Sequence, residues 1–203
     1  SDDNLIEYNS ILNLFSQTGL EGNKYITCDV ARFGTDKSVV MLWSGLTVTN
    51  IKTFDTNTIT ELADYIKTLQ QKEGVTTNNI LADEDGLGGG LIDILRIKGF
   101  QNNSRPLKNE NYQNLKTQCY YKLADLVNKG QVGIVNDNIT TRQHIIEELE
   151  QVRSKDQDKD NKNKIVDKDT VKAIIGRSPD YADCLAMRMY YEIDSNFGKY
   201  FVQ

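Results

Sequence analysis

The sequence predicts an α/β protein built on a mixed sheet with helices covering it. Three strand-like segments lie close together between residues 25 and 53, and strand and helix patterns then alternate through the rest of the chain, with no internal repeat. At 203 residues the chain is long enough to bury a real core without disulfide or metal staples.

Residues 1–22 are polar, with scattered apolar positions (Leu5, Ile6, Ile11, Leu12, Leu14, Phe15), and read as an N-terminal docking segment ahead of one domain spanning 23–203. Tyr25–Val30 reads as a strand, followed by a turn at Arg32–Thr35. Ser38–Trp43 and Thr47–Thr53 read as two more strands around a turn at Ser44-Gly45, completing an antiparallel meander. Thr58-Ile-Thr-Glu61 is a capping box, and Ile59, Leu62, Ala63, Ile66 and Leu69 keep helical spacing, so a helix should run to about Glu73. Asn79–Asp83 is a short apolar strand suited to the buried centre of a sheet. The glycine-rich turn Gly86–Gly90 leads into a helix over about Leu91–Lys98, and Leu115, Cys119, Leu123 and Leu126 mark another. Gln131–Val135 reads as a strand and Thr141–Val152 as a helix. An exposed hairpin or loop insertion is expected near 152–169, where charged and amide residues dominate. The last helix should start with Ser178 as N-cap and Pro179 at its first position, and run to about Ile193.

Composition narrows the chemistry. Twenty-nine acidic residues against 24 basic ones give a net charge of −5, which argues against a generic basic nucleic-acid coat. Three cysteines (Cys28, Cys119, Cys184), far apart and without a CxxC pair, argue against a disulfide framework or structural zinc and fit a reducing compartment. With one histidine, His144, any metal site must be mostly oxygen-ligated, which favours magnesium, manganese or calcium. There is neither an apolar run of membrane-spanning length nor a signal peptide, so a soluble protein away from membranes is expected. Ser1 in place of Met reads as an excised or processed start.

Three acidic groups stand at element ends. Asp29 closes the first strand; Asp83, followed by Glu84 and Asp85, closes the fourth; Asp180 and Asp183 share one face of the last helix. Were the first and fourth strands parallel neighbours, Asp29 and Asp83 would sit side by side and repel unless a cation lay between them. Such an oxygen-only cluster suits one or two magnesium or manganese ions, and a pair about 3.5–4 Å apart can drive phosphodiester hydrolysis. Each acid also has a plainer reading: Asp29 as a turn residue, Asp83 as a loop acid beside glycines, Asp180 as a complement to the helix dipole. Asp183 is harder to explain away, because its neighbours Ala182, Cys184, Leu185 and Ala186 look buried and an unpaired carboxylate there would be costly.

Three segments, Asp29-Val-Ala-Arg-Phe-Gly-Thr-Asp-Lys-Ser38, Ala82-Asp-Glu-Asp-Gly-Leu-Gly-Gly-Gly-Leu-Ile-Asp93 and Gly176-Arg-Ser-Pro-Asp-Tyr-Ala-Asp-Cys-Leu185, resemble in order the nuclease domain of tailed-bacteriophage terminase large subunits. The resemblance covers about residues 24–193 and implies an RNase H-like fold. It implies a metal-dependent endonuclease that cuts double-stranded viral DNA concatemers during packaging in the host cytoplasm, using two Mg2+ or Mn2+ ions. Carried over by position, Asp29, Asp83 and Asp183 would be the catalytic metal ligands. Asp180 would be auxiliary, Asp36 nearby, and Asp85 an alternative to Asp83. Where some relatives carry a histidine one turn before the last acid, this chain has Asp180. Full-length members also carry an N-terminal ATPase motor and meet a portal and a small terminase subunit. No GxxxxGK[ST] pattern occurs here, so residues 1–22 would be the remnant of the linker to that motor.

Other motifs are weaker. Gly86-x-Gly-Gly-Gly90 lacks GxGxxG spacing and is read as a sharp turn that allows close approach. Asp156–Asp160 imitates the start of a calcium loop, but Asn161 stands where glycine is required and Asp167 where a bidentate glutamate belongs. Residues 151–177 hold eight basic and five acidic side chains, a net +3 within a chain of −5, which leaves −8 elsewhere. This segment reads as a solvated hairpin or as a basic flap on DNA phosphates, with Lys168 and Arg177 the nearest to the acids; Arg32 and Lys37, after Asp29, are also placed to meet a phosphate. Alternative readings are a junction resolvase or integrase-like core and, from another class, an actin-like nucleotide-binding module, for whose two lobes the chain is short.

Overall fold

A computed structural model describes residues 3–31, 37–55, 58–156 and 160–194. Among them β1 (Lys24–Asp29), β2 (Ser38–Ser44), β3 (Thr47–Phe54), β4 (Ile80–Asp83), β5 (Lys98–Phe100) and β6 (Gly133–Ile134) form one mixed sheet in the order β5-β4-β1-β2-β3-β6. The expected meander is present, since β1–β2 and β2–β3 are antiparallel. The remaining pairings, β1–β4, β4–β5 and β3–β6, are parallel.

Both sheet faces are covered. α2 (Ile59–Glu73) and α3 (Gly88–Leu95) pack on one side over Ile26, Cys28, Val40 and Ala82. The opposite face, with Tyr25, Val39, Met41 and Trp43, carries the larger core. It is closed by α1 (Tyr8–Asn13), α4 (Leu115–Asn128), α5 (Ile139–Glu150), α7 (Asp180–Arg188) and the short α8 (Tyr190–Ile193). This is why β2 is apolar and buried along almost its whole length rather than alternating. Near the N-terminus, Ile6, Ile11 and Leu14 insert into the larger core.

Local chemistry sets the boundaries. The capping box of α2 is formed, with Thr58 accepting from the Glu61 amide at 3.1 Å and Glu61 accepting from the Thr58 amide at 2.8 Å. α3 starts earlier than its apolar residues suggest and stops at Leu95, where Arg96 takes a left-handed φ of 53°. That turn releases Lys98–Phe100 to form β5, a strand too short to show a period of its own.

The insertion forms a two-stranded hairpin, β7 (Ser154–Lys155) with β8 (Lys164–Ile165). An unforeseen helix follows, α6 (Lys168–Ile175), capped by Asp167, which accepts from the Thr170 amide at 2.9 Å. Only Val171 of α6 is buried, so its charged face hid it from pattern reading. α7 begins one residue later than expected, with Pro179 as N-cap and no capping side chain of its own. Residues 157–159 of the calcium-like stretch lie outside the described residues.

α7 lies across β1 and is held there from three directions. Leu185 and Met189 are fully buried, each apolar side chain contributing about 1.5–3 kcal/mol. Cys184 Sγ lies 3.2 Å from Thr27 Oγ1. Arg188, also fully buried, stacks its guanidinium 3.7 Å from the Tyr25 ring centroid, donates to the Gly45 carbonyl at 2.8 Å and pairs with Glu192 at 2.9 Å. Among the described residues no helix is long and apolar enough to cross a membrane.

The glycine run serves the turn from β4 into α3. A Cβ added at Gly88 would collide with the Asp83 carbonyl, whereas one at Gly89 would come no nearer than 4.0 Å to a neighbour. Gly88→Ala is therefore expected to lose about 1–3 kcal/mol in urea denaturation, and Gly89→Ala to gain about 0.5–1 kcal/mol. Equal behaviour of the two variants would contradict the close-approach role of Gly88.

Candidate metal centre

Strand parity aims the first two acids. Side chains alternate along β1, Ile26 and Cys28 facing one core and Tyr25 and Thr27 the other, so Asp29 points toward α7. In β4, Leu81 joins the larger core and Ala82 the smaller, so Asp83 also points toward α7. The parallel register pairs Cys28 with Ala82 and so brings the two aspartates to the same sheet edge. Asp180 and Asp183 reach that edge from the first turn of α7. Asp29, Asp83, Asp85, Asp180 and Asp183 line one open cavity of about 360 Å³.

The charges there are unequal. Six aspartates, counting Asp169, line the cavity against three lysines, Lys116, Lys168 and Lys172. Two of the lysines act on one acid: Lys116 Nζ lies 3.3 Å from Asp183 Oδ1, and Lys168 Nζ 3.2 Å from Asp183 Oδ2. The Tyr120 hydroxyl donates to Asp183 Oδ1 at 2.5 Å. Burial alone would raise Asp183, but Lys116, Lys168 and Tyr120 together hold it below the usual carboxylate range. In return, the carboxylates of Asp183 and Asp29 outweigh burial at Lys168 and raise its pKa.

Asp29 lacks that support. Among the described residues no lysine or arginine makes an ion pair with it. Burial, reinforced by the charges of Asp183 and Asp180, pushes its pKa well above the ordinary value. Burial also raises Asp83, although the Asp85 amide donates to Asp83 Oδ1 at 2.9 Å. Asn102 Nδ2 bridges Asp83 and Asp85, at 3.4 and 2.6 Å. Asp180 is raised by burial too, and it accepts from the Lys37 amide at 3.2 Å.

Among the described residues no three carboxylate, imidazole or thiol groups already stand in an arrangement that could hold a metal ion. The donor chemistry nevertheless fits a hard cation. The donors are all oxygen, most are buried, and two ammonium groups already gather on Asp183. A divalent ion closing on Asp183 would displace ammonium groups and relieve the repulsion felt by Asp29.

The other sequence candidates lie in different settings. Arg32 and Asp36 fall outside the described residues. Lys168 faces the acids, while the Lys37 ammonium lies 3.7 Å from exposed Asp55. Arg177 turns to α5, pairing with Glu147 at 3.0 Å and Glu148 at 3.2 Å. Lys116, Tyr120 and Asn102 were missed by sequence reading. For Lys116 and Tyr120 a signal existed, because they stand four apart on one helix face; Asn102, in a polar connection, carried none.

No protein family and no curated protein matches the chain in sequence. Solved structures do match. The nuclease domain of the large terminase subunit gp2 of bacterial virus Sf6 is similar at 20% identity, with 92% of this chain and 98% of that one covered and a TM-score of 0.77. The large terminase nuclease from thermophilic phage G20c, with bound magnesium, matches at 18% identity, 94% and 98% coverage and a TM-score of 0.60. The Thermus phage P74-26 large terminase nuclease domain matches at 17% identity over 98% of this chain and all of that one, with a TM-score of 0.61. A variant of the Sf6 domain was solved with manganese. The chain thus has the RNase H-like fold of these nuclease domains.

The raised pKa of Asp29 fixes the sign of a pH effect. A carboxyl whose folded pKa exceeds its unfolded value of about 4 costs stability once pH rises through the unfolded value, and costs nothing below it. Metal-free Asp29→Asn should therefore melt higher than wild type at about pH 7, with the gap closing near pH 3.5. Equal melting temperatures near pH 7 would contradict the crowding of carboxylates around Asp29.

Proposed function

We propose that this chain is a divalent-metal-dependent endonuclease that hydrolyses phosphodiester bonds in double-stranded DNA, cutting viral concatemers during genome packaging. The observation that carries this reading is the convergence of five aspartates on one open cavity, at the sheet edge where β1 and β4 end together. The fold likeness to phage terminase nuclease domains, some solved with manganese or magnesium, supports it.

Asp29, Asp83 and Asp183 would hold a pair of Mg2+ or Mn2+ ions, with Asp180 and Asp85 as neighbouring carboxylates. When bound, such ions supply Lewis acidity and lower the pKa of water at neutral pH. The protein's own part is charge and position. Lys116, Lys168 and Tyr120 keep Asp183 anionic. Lys168 and Lys172, on the cavity wall, would meet the phosphates beside the cut. Asn102 fixes Asp83 against Asp85, and the Lys37 amide fixes Asp180. Arg32 and Lys37, in the connection from β1 to β2, would meet DNA phosphates.

In this reading residues 23–203 are the nuclease domain and 1–22 the segment joining it to an ATPase motor. Portal and small terminase subunit would be partners of the whole assembly, in the host cytoplasm. Asp29→Asn and Asp183→Asn should each reduce cleavage of linear duplex DNA, in Mn2+ or Mg2+, to the level without protein, while circular dichroism stays unchanged. EDTA should stop the wild type. Full cleavage by either variant, or a strong preference for four-way junctions over linear duplex, would contradict the proposal.

A further inference from the structure

Among the described residues Glu148 is the one glutamate whose side chain is completely buried, and it lies outside the acid cavity. It stands on α5 between the core residues Ile145 and Leu149, where a carboxylate is tolerated only if several donors meet it. Three do. Oε1 accepts from the amides of Tyr181 at 2.8 Å and Ala182 at 3.1 Å, and Oε2 lies 3.2 Å from Arg177 Nη2.

Those two amides complete an accounting of the α7 N-terminus. A helix leaves its first four N–H groups without intrahelical acceptors, and a capping side chain usually takes some of them. The N-cap here is Pro179, which has no side chain able to accept. The Asp180 amide donates to the Ser178 carbonyl at 2.9 Å and the Asp183 amide to the Pro179 carbonyl at 2.9 Å. Tyr181 and Ala182 donate to Glu148 from a different helix. Burial pushes the Glu148 carboxyl up to about 8, although the Ala182 amide and Arg177 pull it the other way, so near neutral pH it holds this helix end chiefly through its acceptor oxygen.

We infer that Glu148 is a positioning residue for the acid cluster, setting the first turn of α7 so that Asp180 and Asp183 face Asp29. The two amides it holds lie between these acids in sequence, so any shift of that turn moves both carboxylates. Arg177 supports Glu148 from its other oxygen and is itself braced by Glu147 and by the His144 carbonyl. The inference rests on the proposed function, because it concerns the cation site of that reading.

The test uses the whole chain, Mn2+ alone as probe, and titration calorimetry beside thermal melting. Loss of a residue that orients metal ligands typically weakens binding about 10–100-fold, so Glu148→Ala should lower Mn2+ affinity by at least about tenfold. Glu148→Gln retains an oxygen for both amides and should bind Mn2+ close to the wild-type value. Glu148→Asp keeps a carboxyl group for Arg177 but draws the oxygen back from the amides, and should bind more weakly than Glu148→Gln. It carries the test if Glu148→Ala does not fold. Wild-type Mn2+ binding with unchanged affinity in Glu148→Ala and Glu148→Asp, even at a lower melting temperature, would reduce Glu148 to a helix cap and overturn the inference. A wild-type chain that takes up no Mn2+ would instead overturn the proposed function on which the inference stands.

Discussion

Carboxylates gathered at one sheet edge repel one another, and the arrangement around this cavity is organised by that repulsion. Parallel pairing of β1 with β4 and the period-two alternation of their side chains force Asp29 and Asp83 to the same face and the same end. α7 then adds Asp180 and Asp183 from above. Coulomb repulsion between such groups in a partly buried site reaches several kcal/mol at an effective dielectric constant near 20. The fold must hold the acids together against it.

Two features provide that hold. Apolar burial of Leu185 and Met189, with Arg188 stacked on Tyr25, fixes α7 to the sheet at a distance from the charges. Closer in, neutralisation is selective: Lys116 and Lys168 both pair with Asp183, whereas at Asp29 burial and the acidic neighbours outweigh the pull of Lys168. Unequal compensation of this kind leaves an electrostatic site whose remaining demand is for positive charge. It also gives the net −5 of the chain a partial location, with six aspartates around one cavity.

Much of this was legible in the sequence where local chemistry decides the outcome. The Thr58–Glu61 capping box, the meander around Ser44-Gly45 and the apolar strand ending at Asp83 follow from propensity and spacing. What escaped detection depended on tertiary context. β5 exists because Arg96 turns left-handed and because β4 offers a partner edge. α6 buries only Val171, so its sequence reads as a charged loop. In the site, the aspartates were visible as acids at element ends, while Lys116, Tyr120 and Asn102 act only through long-range contacts that local patterns do not encode. Arg177 shows the reverse: a cation close in sequence to the acids is turned by the fold toward Glu147 and Glu148.

The most direct measurement is a crystal of the chain soaked in Mn2+, with data collected at the manganese absorption edge. The account predicts anomalous density between Asp29, Asp83 and Asp183, with the Lys168 ammonium moved off the Asp183 carboxylate. An empty cavity in which Lys116 and Lys168 still clasp Asp183 at saturating Mn2+ would contradict it.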